Sequence, residues 1–195
     1  MKKRIYIFDF DYTLFDTLKF YNGLTQAFNM TEEEFAKDYN KYFKKQNINY
    51  SPYKHIKIID REGQNNNIEN NIKLLLSRID NYLFKGVEEK LQELKVKDSY
   101  LLLITLGNKN WQKIKVQNTK IQKYFDKIIY IESNKIESLE ILAENKTEKI
   151  IINDNIEESI RMKGKLKNAK IFLVDGPYAN NVQYNLKINK LSDLK

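Results

Sequence analysis

Five short runs of apolar and β-branched residues recur along the chain. Stretches with helical spacing lie between most of them. Arg4 to Phe8, Tyr100 to Thr105, Ile128 to Ile131, Lys149 to Ile152 and Lys170 to Val174 read as strands. Several, IYIF and LLLIT above all, are apolar at successive rather than alternate positions. A strand buried on both faces needs that pattern, as in a parallel sheet covered by helices. Between the runs, Val87, Leu91 and Leu94 form one helical stripe, and Trp111, Ile114, Ile121 and Phe125 another. Ile136, Leu139 and Leu142 form a third, and Ile156 with Ile160 a shorter fourth. The alternation predicts an α/β fold with a doubly wound, Rossmann-like parallel sheet.

One interval breaks the rhythm. Roughly seventy residues separate the first strand from the helix that starts near Gly86, far more than the short connections of such folds. The interval itself reads as helical. Thr31 and Glu34 make a capping box, Ser51-Pro52 is a helix start, and Ile68, Ile72, Leu75, Ile79 and Leu83 form a long apolar stripe. GQNNN at 63–67 reads as a loop, because Gly and clustered Asn favour turns. The expected division is an α/β core over 1–15 and 85–195, with a helical cap subdomain inserted over 16–84.

Composition narrows the chemistry. The chain has 195 residues, enough for one core with an insertion, and no cysteine. Disulfides, thiolate nucleophiles and cysteine metal sites are therefore excluded, and chemistry must use oxygen, nitrogen or a hard metal ion. The net charge is +8, but arginine occurs only at 4, 61, 78 and 161, and the lysines are dispersed. A nucleic-acid reader would concentrate its basic residues and use Arg forks, so the charge points at most to an anionic substrate. Four apolar residues follow the basic start before Asp9, too few for a signal-peptide core, and no run reaches transmembrane length. The expectation is a cytoplasmic protein with no membrane partner; no sequence feature sets an oligomeric state.

Ligands of an open parallel sheet bind beyond the carboxyl ends of its strands. The first strand delivers Asp9 and Asp11, with Thr13 two residues on. The second ends at Thr105, followed by Leu106, Gly107 and Asn108, and the fourth leads to Asn153 and Asp154. Lys135 stands before the helix that follows the third. Singly, each has a plain explanation as a turn former, a strand end or a surface lysine. Jointly they would place three carboxylates, a hydroxyl and an ammonium on one rim. At about 4 Å and an effective dielectric near 20, each carboxylate pair would cost on the order of 4 kcal/mol. A cation between them would remove that cost, and Mg²⁺ suits an all-oxygen site facing a phosphate.

The stretch DFDYT resembles the Asp-x-Asp-x-Thr signature of the haloacid dehalogenase (HAD) superfamily, and Thr105, Lys135 and Asp154 follow in that superfamily's order. FKGVEEKLQEL is similar to the helix before its second strand, and TLGN-x-x-W-Q-x-x-K followed by YFDKII resembles a common phosphatase variant. The insertion is similar to its helical cap. The resemblance implies a two-step phosphoryl transfer. Asp9 would be the nucleophile, Asp11 the acid and base, and Thr105 with Lys135 would neutralise the transferred group. Mg²⁺ would be held by Asp9, Asp154 and the main-chain carbonyl of Asp11, and Thr105, Gly107, Asn108 and Lys135 would bind substrate. The second Asp implies phosphate rather than carbon–halogen substrates. The sequence departs from the pattern at Tyr12, where many relatives have Gly, at Lys85, where Pro is common, and at Asn153.

Other positions stay open. Glu158 is either a supporting acid of the site or the third residue of a helix capped by Asn155. Asn108 either lines the site or shapes the turn, and Thr13 is expected to steady the loop toward the cap. His55, the only histidine, reads as a packed or surface residue. Phe15, Tyr21, Phe28, Phe35, Tyr50 and Tyr53 read mostly as cap core, with room for one or two to face the cleft. The function expected from the resemblance is hydrolysis of a small phosphorylated metabolite by a Mg²⁺-dependent phosphatase. The alternatives are a phosphomutase, a phosphatase of nucleic-acid ends, or a phosphate-binding regulatory domain without enzymatic activity.

Overall fold

The computed structural model describes residues 4–59, 65–144, 146–181 and 183–194. Six parallel strands form one sheet in the order β3-β2-β1-β4-β5-β6. These are β1 (Ile5–Phe8), β2 (Tyr100–Leu106), β3 (Lys127–Ile131), β4 (Lys149–Asn153), β5 (Ala169–Val174) and β6 (Ile188–Asn189). β1 is central: Ile7 pairs with Leu102 of β2 on one side and with Ile151 of β4 on the other. The winding direction therefore reverses between β1 and β4, which opens a crevice at their carboxyl ends.

The two faces of the sheet explain the unbroken apolar runs. Tyr6, Phe8, Leu101, Leu103, Ile150 and Ile152 pack on one side, with Leu91 and Leu94 of α5 (Val87–Val96) and Trp111 and Val116 of α6 (Lys109–Asn118). Ile5, Ile7, Leu102, Ile104 and Ile151 pack on the other, against Leu139, Leu142 and Met162. Met162 belongs to α8 (Ile156–Lys165). The stripe at Ile136, Leu139 and Leu142 does not build the full helix expected. A 3₁₀ turn (Glu137–Leu139) runs into a four-residue helix, α7 (Glu140–Ala143), and a spacing of three is the 3₁₀ period.

The insertion contains α1 (Thr17–Ala27), α2 (Glu32–Tyr39), a π-helical turn (Asn40–Lys44), α3 (Pro52–Ile59), α4 (Asn65–Leu76) and a 3₁₀ turn (Ile79–Tyr82). Its ends are stitched together, since the Asp16 amide donates to the Tyr82 carbonyl at 2.7 Å and the Phe84 amide to the Leu14 carbonyl at 3.0 Å. The capping box forms: the Glu34 amide donates to Thr31 Oγ1 at 3.2 Å, and the Thr31 amide to Glu34 Oε2 at 2.8 Å. Residues 60–64, and with them Arg61 and the first half of GQNNN, lie outside the described residues, as does the basic start at 1–3. Asn65 to Asn67 open α4 instead of continuing a loop.

Strand ends differ by a residue from the apolar runs. β1 starts at Ile5, β2 continues to Leu106, β3 starts at Lys127, β4 continues to Asn153 and β5 starts at Ala169. β6 was not expected; two residues are too few to show a pattern. Among the described residues no helix is long and apolar enough to cross a membrane.

Candidate active site

Two separate polar clusters occupy the crevice, and the turn after β1 splits them. The Phe10 carbonyl accepts from the amides of Thr13, Leu14 and Phe15 at 3.3, 2.9 and 3.1 Å. Tyr12 takes a left-handed φ of 58° at the tip, where a glycine would be unstrained. Phe10 and Leu14 are fully buried and anchor the turn. It sends Asp9 and Asp11 to different partners.

Asp9 faces Lys135. Its Oδ1 accepts from the Phe10 amide at 2.7 Å, and its Oδ2 lies 2.8 Å from Lys135 Nζ. The buried Lys135 ammonium also lies 2.6 Å from Glu158 Oε2, which accepts from Asn153 Nδ2 at 2.8 Å. Asn155 caps α8 by accepting from the Glu158 amide at 3.0 Å. Glu158 therefore fills both roles considered for it: third residue of the helix, and a support for Lys135. Thr13 ties this turn to the end of β4: its hydroxyl accepts from the Asp154 amide at 3.2 Å and donates to Asp154 Oδ1 at 3.4 Å. Asp154 is thereby oriented, and its Oδ2 is buried with no hydrogen-bond partner.

Asp11 faces α6. Its Oδ1 accepts from Thr17 Oγ1 at 2.7 Å and lies 2.6 Å from the buried Lys115 ammonium; its Oδ2 accepts from Gln112 Nε2 at 2.8 Å. Gln112 and Lys115 are three apart on α6 and so share a face. Asn108 caps that helix, accepting from the Trp111 amide at 3.0 Å. Gly107, with φ of 143°, lets Gln112 approach, since a Cβ there would stand 2.7 Å from Gln112 Nε2.

Charge follows this geometry. Burial pushes the Asp9 carboxyl up to about 6, with Lys135 opposing. Burial and then the neighbouring Asp9 charge push Asp154 up to about 7. Burial also acts to raise Asp11, but Lys115, Thr17 and Gln112 outweigh it and hold its carboxyl below the usual range. Burial would lower the Lys135 ammonium, yet Asp9 and Glu158 leave it raised.

The Asp9 side of the crevice fits a hard cation. Asp154 Oδ2 has no partner, and the neighbouring Asp9 charge raises the proton affinity of Asp154, which a cation between them would reverse. Among the described residues no group of three carboxylate or imidazole side chains is placed to hold an ion. Two carboxylates and a main-chain carbonyl, completed by water and phosphate oxygens, are the kind of set Mg²⁺ takes. Gly176 leaves the room, because a Cβ there would stand 2.5 Å from Asp154 Cβ.

Both clusters open into a cavity of about 630 Å³. Of the residues expected from the sequence, Asp9, Asp11, Gly107, Asn108, Lys135 and Asp154 line it. Thr105 is fully buried behind them, its hydroxyl without a partner. Tyr21 and Tyr50 line the cavity, whereas Phe15, Phe28 and Phe35 belong to the core. His55 is packed, its ring 4.6 Å from Phe28 and 5.1 Å from Phe35. Thr17, Gln112 and Lys115 were not singled out as functional, although Q-x-x-K after the second strand carried the signal.

Acidic residues thus stand at the carboxyl ends of the central strands of a six-strand parallel sheet, where ligands of open α/β sheets bind. The chain belongs to the haloacid dehalogenase-like hydrolase family, whose sequence model matches residues 6–174. It is similar in structure to a haloacid dehalogenase-like hydrolase of Burkholderia xenovorans LB400, with a TM-score of 0.73 at 14% identity, covering 100% of this chain and 98% of that one. The magnesium-bound HAD-hydrolase YfnB of Bacillus subtilis gives 0.67 at 16% identity, covering 100% and 97%. A predicted phosphatase of Clostridium acetobutylicum gives 0.61 at 18%, also covering 100% and 97%. No curated protein matches the sequence.

Proposed function

We propose that this hydrolase is a Mg²⁺-dependent phosphatase that cleaves a small phosphomonoester through an aspartyl-phosphate on Asp9. One observation carries the reading: three carboxylates meet in one cavity with different partners. Asp9 sits beside Lys135, Asp154 has an oxygen to spare, and Asp11 stands apart among three donors. The phosphatase description of the Clostridium relative and the magnesium in the Bacillus one agree with it.

An Asp9 oxygen attacks phosphorus, forming one P–O bond as the ester P–O bond breaks. Asp11 gives its proton to the departing alkoxide. It then takes a proton from water, whose oxygen attacks phosphorus and releases phosphate and a free Asp9 carboxylate. The sum is ester plus water to alcohol plus phosphate. At rest Asp11 is ionised and held by Lys115, Gln112 and Thr17, so the cycle requires it to leave these donors and take up a proton from solvent before the ester P–O bond breaks. Lys135 and the Thr105 hydroxyl supply positive charge and a donor to the transferred group, and Gly107 and Asn108 border it. Mg²⁺, bound by Asp9, Asp154 and the Asp11 carbonyl, would add positive charge at the phosphoryl oxygens. Residues 16–84 act as the cap that excludes water over residues 1–15 and 85–195. Phe20, Tyr21, Leu24 and Tyr39 of this insertion line the cavity.

The test is phosphate release from a panel of phosphomonoesters, with and without Mg²⁺. Asp9→Asn should lose about 10³-fold or more of the rate, as loss of a nucleophile does. Parental activity in that variant, or full activity in a chelator, would refute the reading.

A further inference from the structure

The cavity is far larger than a phosphate, and beyond the carboxylates its wall is aromatic. α1 runs along it, presenting Thr17, Phe20, Tyr21 and Leu24, the i, i+3, i+4, i+7 face of a helix. This face starts at the carboxylates, where Thr17 touches Asp11, and ends at Leu24, about 10 Å further at helical rise. Tyr39 and Tyr50 continue the wall, with ring centroids 6.5 Å between Tyr21 and Tyr39 and 5.6 Å between Tyr39 and Tyr50. Tyr12 and Tyr178 stand edge to face at 6.0 Å, also on the lining.

Two observations set this wall apart from ordinary core. Tyr12, Tyr21 and Tyr39 are only half-buried, and among the described residues their hydroxyls make no hydrogen bond. The backbone between Tyr39 and Lys44, both on the lining, is a π-helical turn. An α-helix would separate residues five apart by about 140°, whereas the wider π turn brings them toward one face. The irregular turn thus aims a ring and an ammonium into the same space.

We propose that the alcohol released by this enzyme carries a planar aromatic ring beyond a sugar-sized spacer, as a nucleoside 5′-monophosphate does. Rings stack on flat π-faces, and unused phenol hydroxyls and Lys44 can meet the polar edge of a base. A bare polyol could meet the same hydroxyls and Lys44 but would leave the ring faces uncovered. The proposal rests on the phosphatase reading for the phosphate end.

Uridine 5′-monophosphate and ribose 5-phosphate differ at C1 of the sugar, which carries the ring in the one and a hydroxyl in the other, and form the test pair. Calorimetry without Mg²⁺, where no turnover is proposed, should show uridine 5′-monophosphate binding at least tenfold more tightly. With Mg²⁺, its kcat/KM should exceed that of ribose 5-phosphate at least tenfold. Tyr39→Leu should lower both ratios about tenfold, and Tyr39→Phe, which keeps the ring, should restore them. If Tyr39→Leu loses its far-UV circular dichroism, Tyr21→Leu gives the same reading. Equal or undetectable binding of the two ligands overturns the proposal, as does a ratio unmoved by both leucine variants. Tighter binding of the ring ligand with no phosphate released from either leaves the ring site standing and sinks the phosphatase reading. Phosphate released equally from both does the reverse.

Discussion

The two sides of the cavity are held by opposite means. The sheet side is built from charges, with Lys115 against Asp11 and Lys135 between Asp9 and Glu158, each ammonium nearly inaccessible. The helical side is built from rings, with Phe28, Phe35, Phe43 and Tyr50 around His55 at centroid distances between 4.6 and 5.8 Å. A buried charge tolerates no loss of its partner, because the remaining ion has no water to turn to. A ring cluster gives way gradually, since each contact is weak and the neighbours can repack. The sheet side should therefore fail abruptly when one group is removed, and the helical side by degrees.

Lys115→Met gives the largest expected break. It keeps the length of the side chain but leaves Asp11 partly buried without its cation, which costs about 3–5 kcal/mol. At roughly 2–4 °C per kcal/mol for a chain of this size, the melting temperature should fall by about 10 °C. Adding Asp11→Asn removes the stranded charge, so the double variant should melt higher than Lys115→Met alone. Strictly additive losses would show that the pair is not coupled, and the contrast between the two sides would go with it.

Gly176→Ala probes the same side with a single methyl group. The new Cβ would stand 2.5 Å from Asp154 Cβ and 2.8 Å from its Oδ2, so Asp154 must move. A displacement on the order of 1 Å at a reacting site can cost about 10²-fold in rate. Phosphate release should fall toward that level, while overpacking costs about 1–3 kcal/mol of stability. Unchanged activity would mean that the position of Asp154 is not critical.

The same contrast explains what could be read from the sequence. Asp9, Asp11 and Thr13 lie within five residues at a strand end, and Asp154 closes another apolar run, so that side of the cavity shows as a motif. Lys115 reaches Asp11 across 104 positions and is one lysine among many; local pattern cannot separate it from solvated surface. Thr13 reads as steadying the loop toward the cap, and its bond to Asp154, which spans 141 positions, carries no local signal. The parallel, doubly wound sheet followed from the alternation of strands and helices, whereas the two-residue β6 carried no period at all. On the helical side, the stripes that predict a helix do not say which ring turns inward. Tyr21 and Tyr50 face the cavity while Phe28 and Phe35 do not. The π turn that aims Tyr39 departs from the very spacing on which such readings depend.

The smallest expected effect separates the two sides by pH. Burial lowers the proton affinity of the His55 imidazole, and Asp38, 3.6 Å from its Nε2, offsets this only in part. Below the unfolded value of about 6.5 the unfolded chain then binds the proton that the folded chain refuses, so stability falls as pH falls. Asp9 and Asp154, raised to about 6 and about 7, act in the opposite sense: the folded chain binds their protons first, and stability rises on acidification through that range. The chain has no other histidine, so the difference between the parent and His55→Phe isolates the helical term. This term alone lowers the melting temperature on going from pH 7.5 to pH 5.5. The parent should lose more melting temperature over that interval than His55→Phe. An identical loss in both would show that the imidazole is not held neutral by its ring neighbours, and that the helical side is less dry than its packing implies.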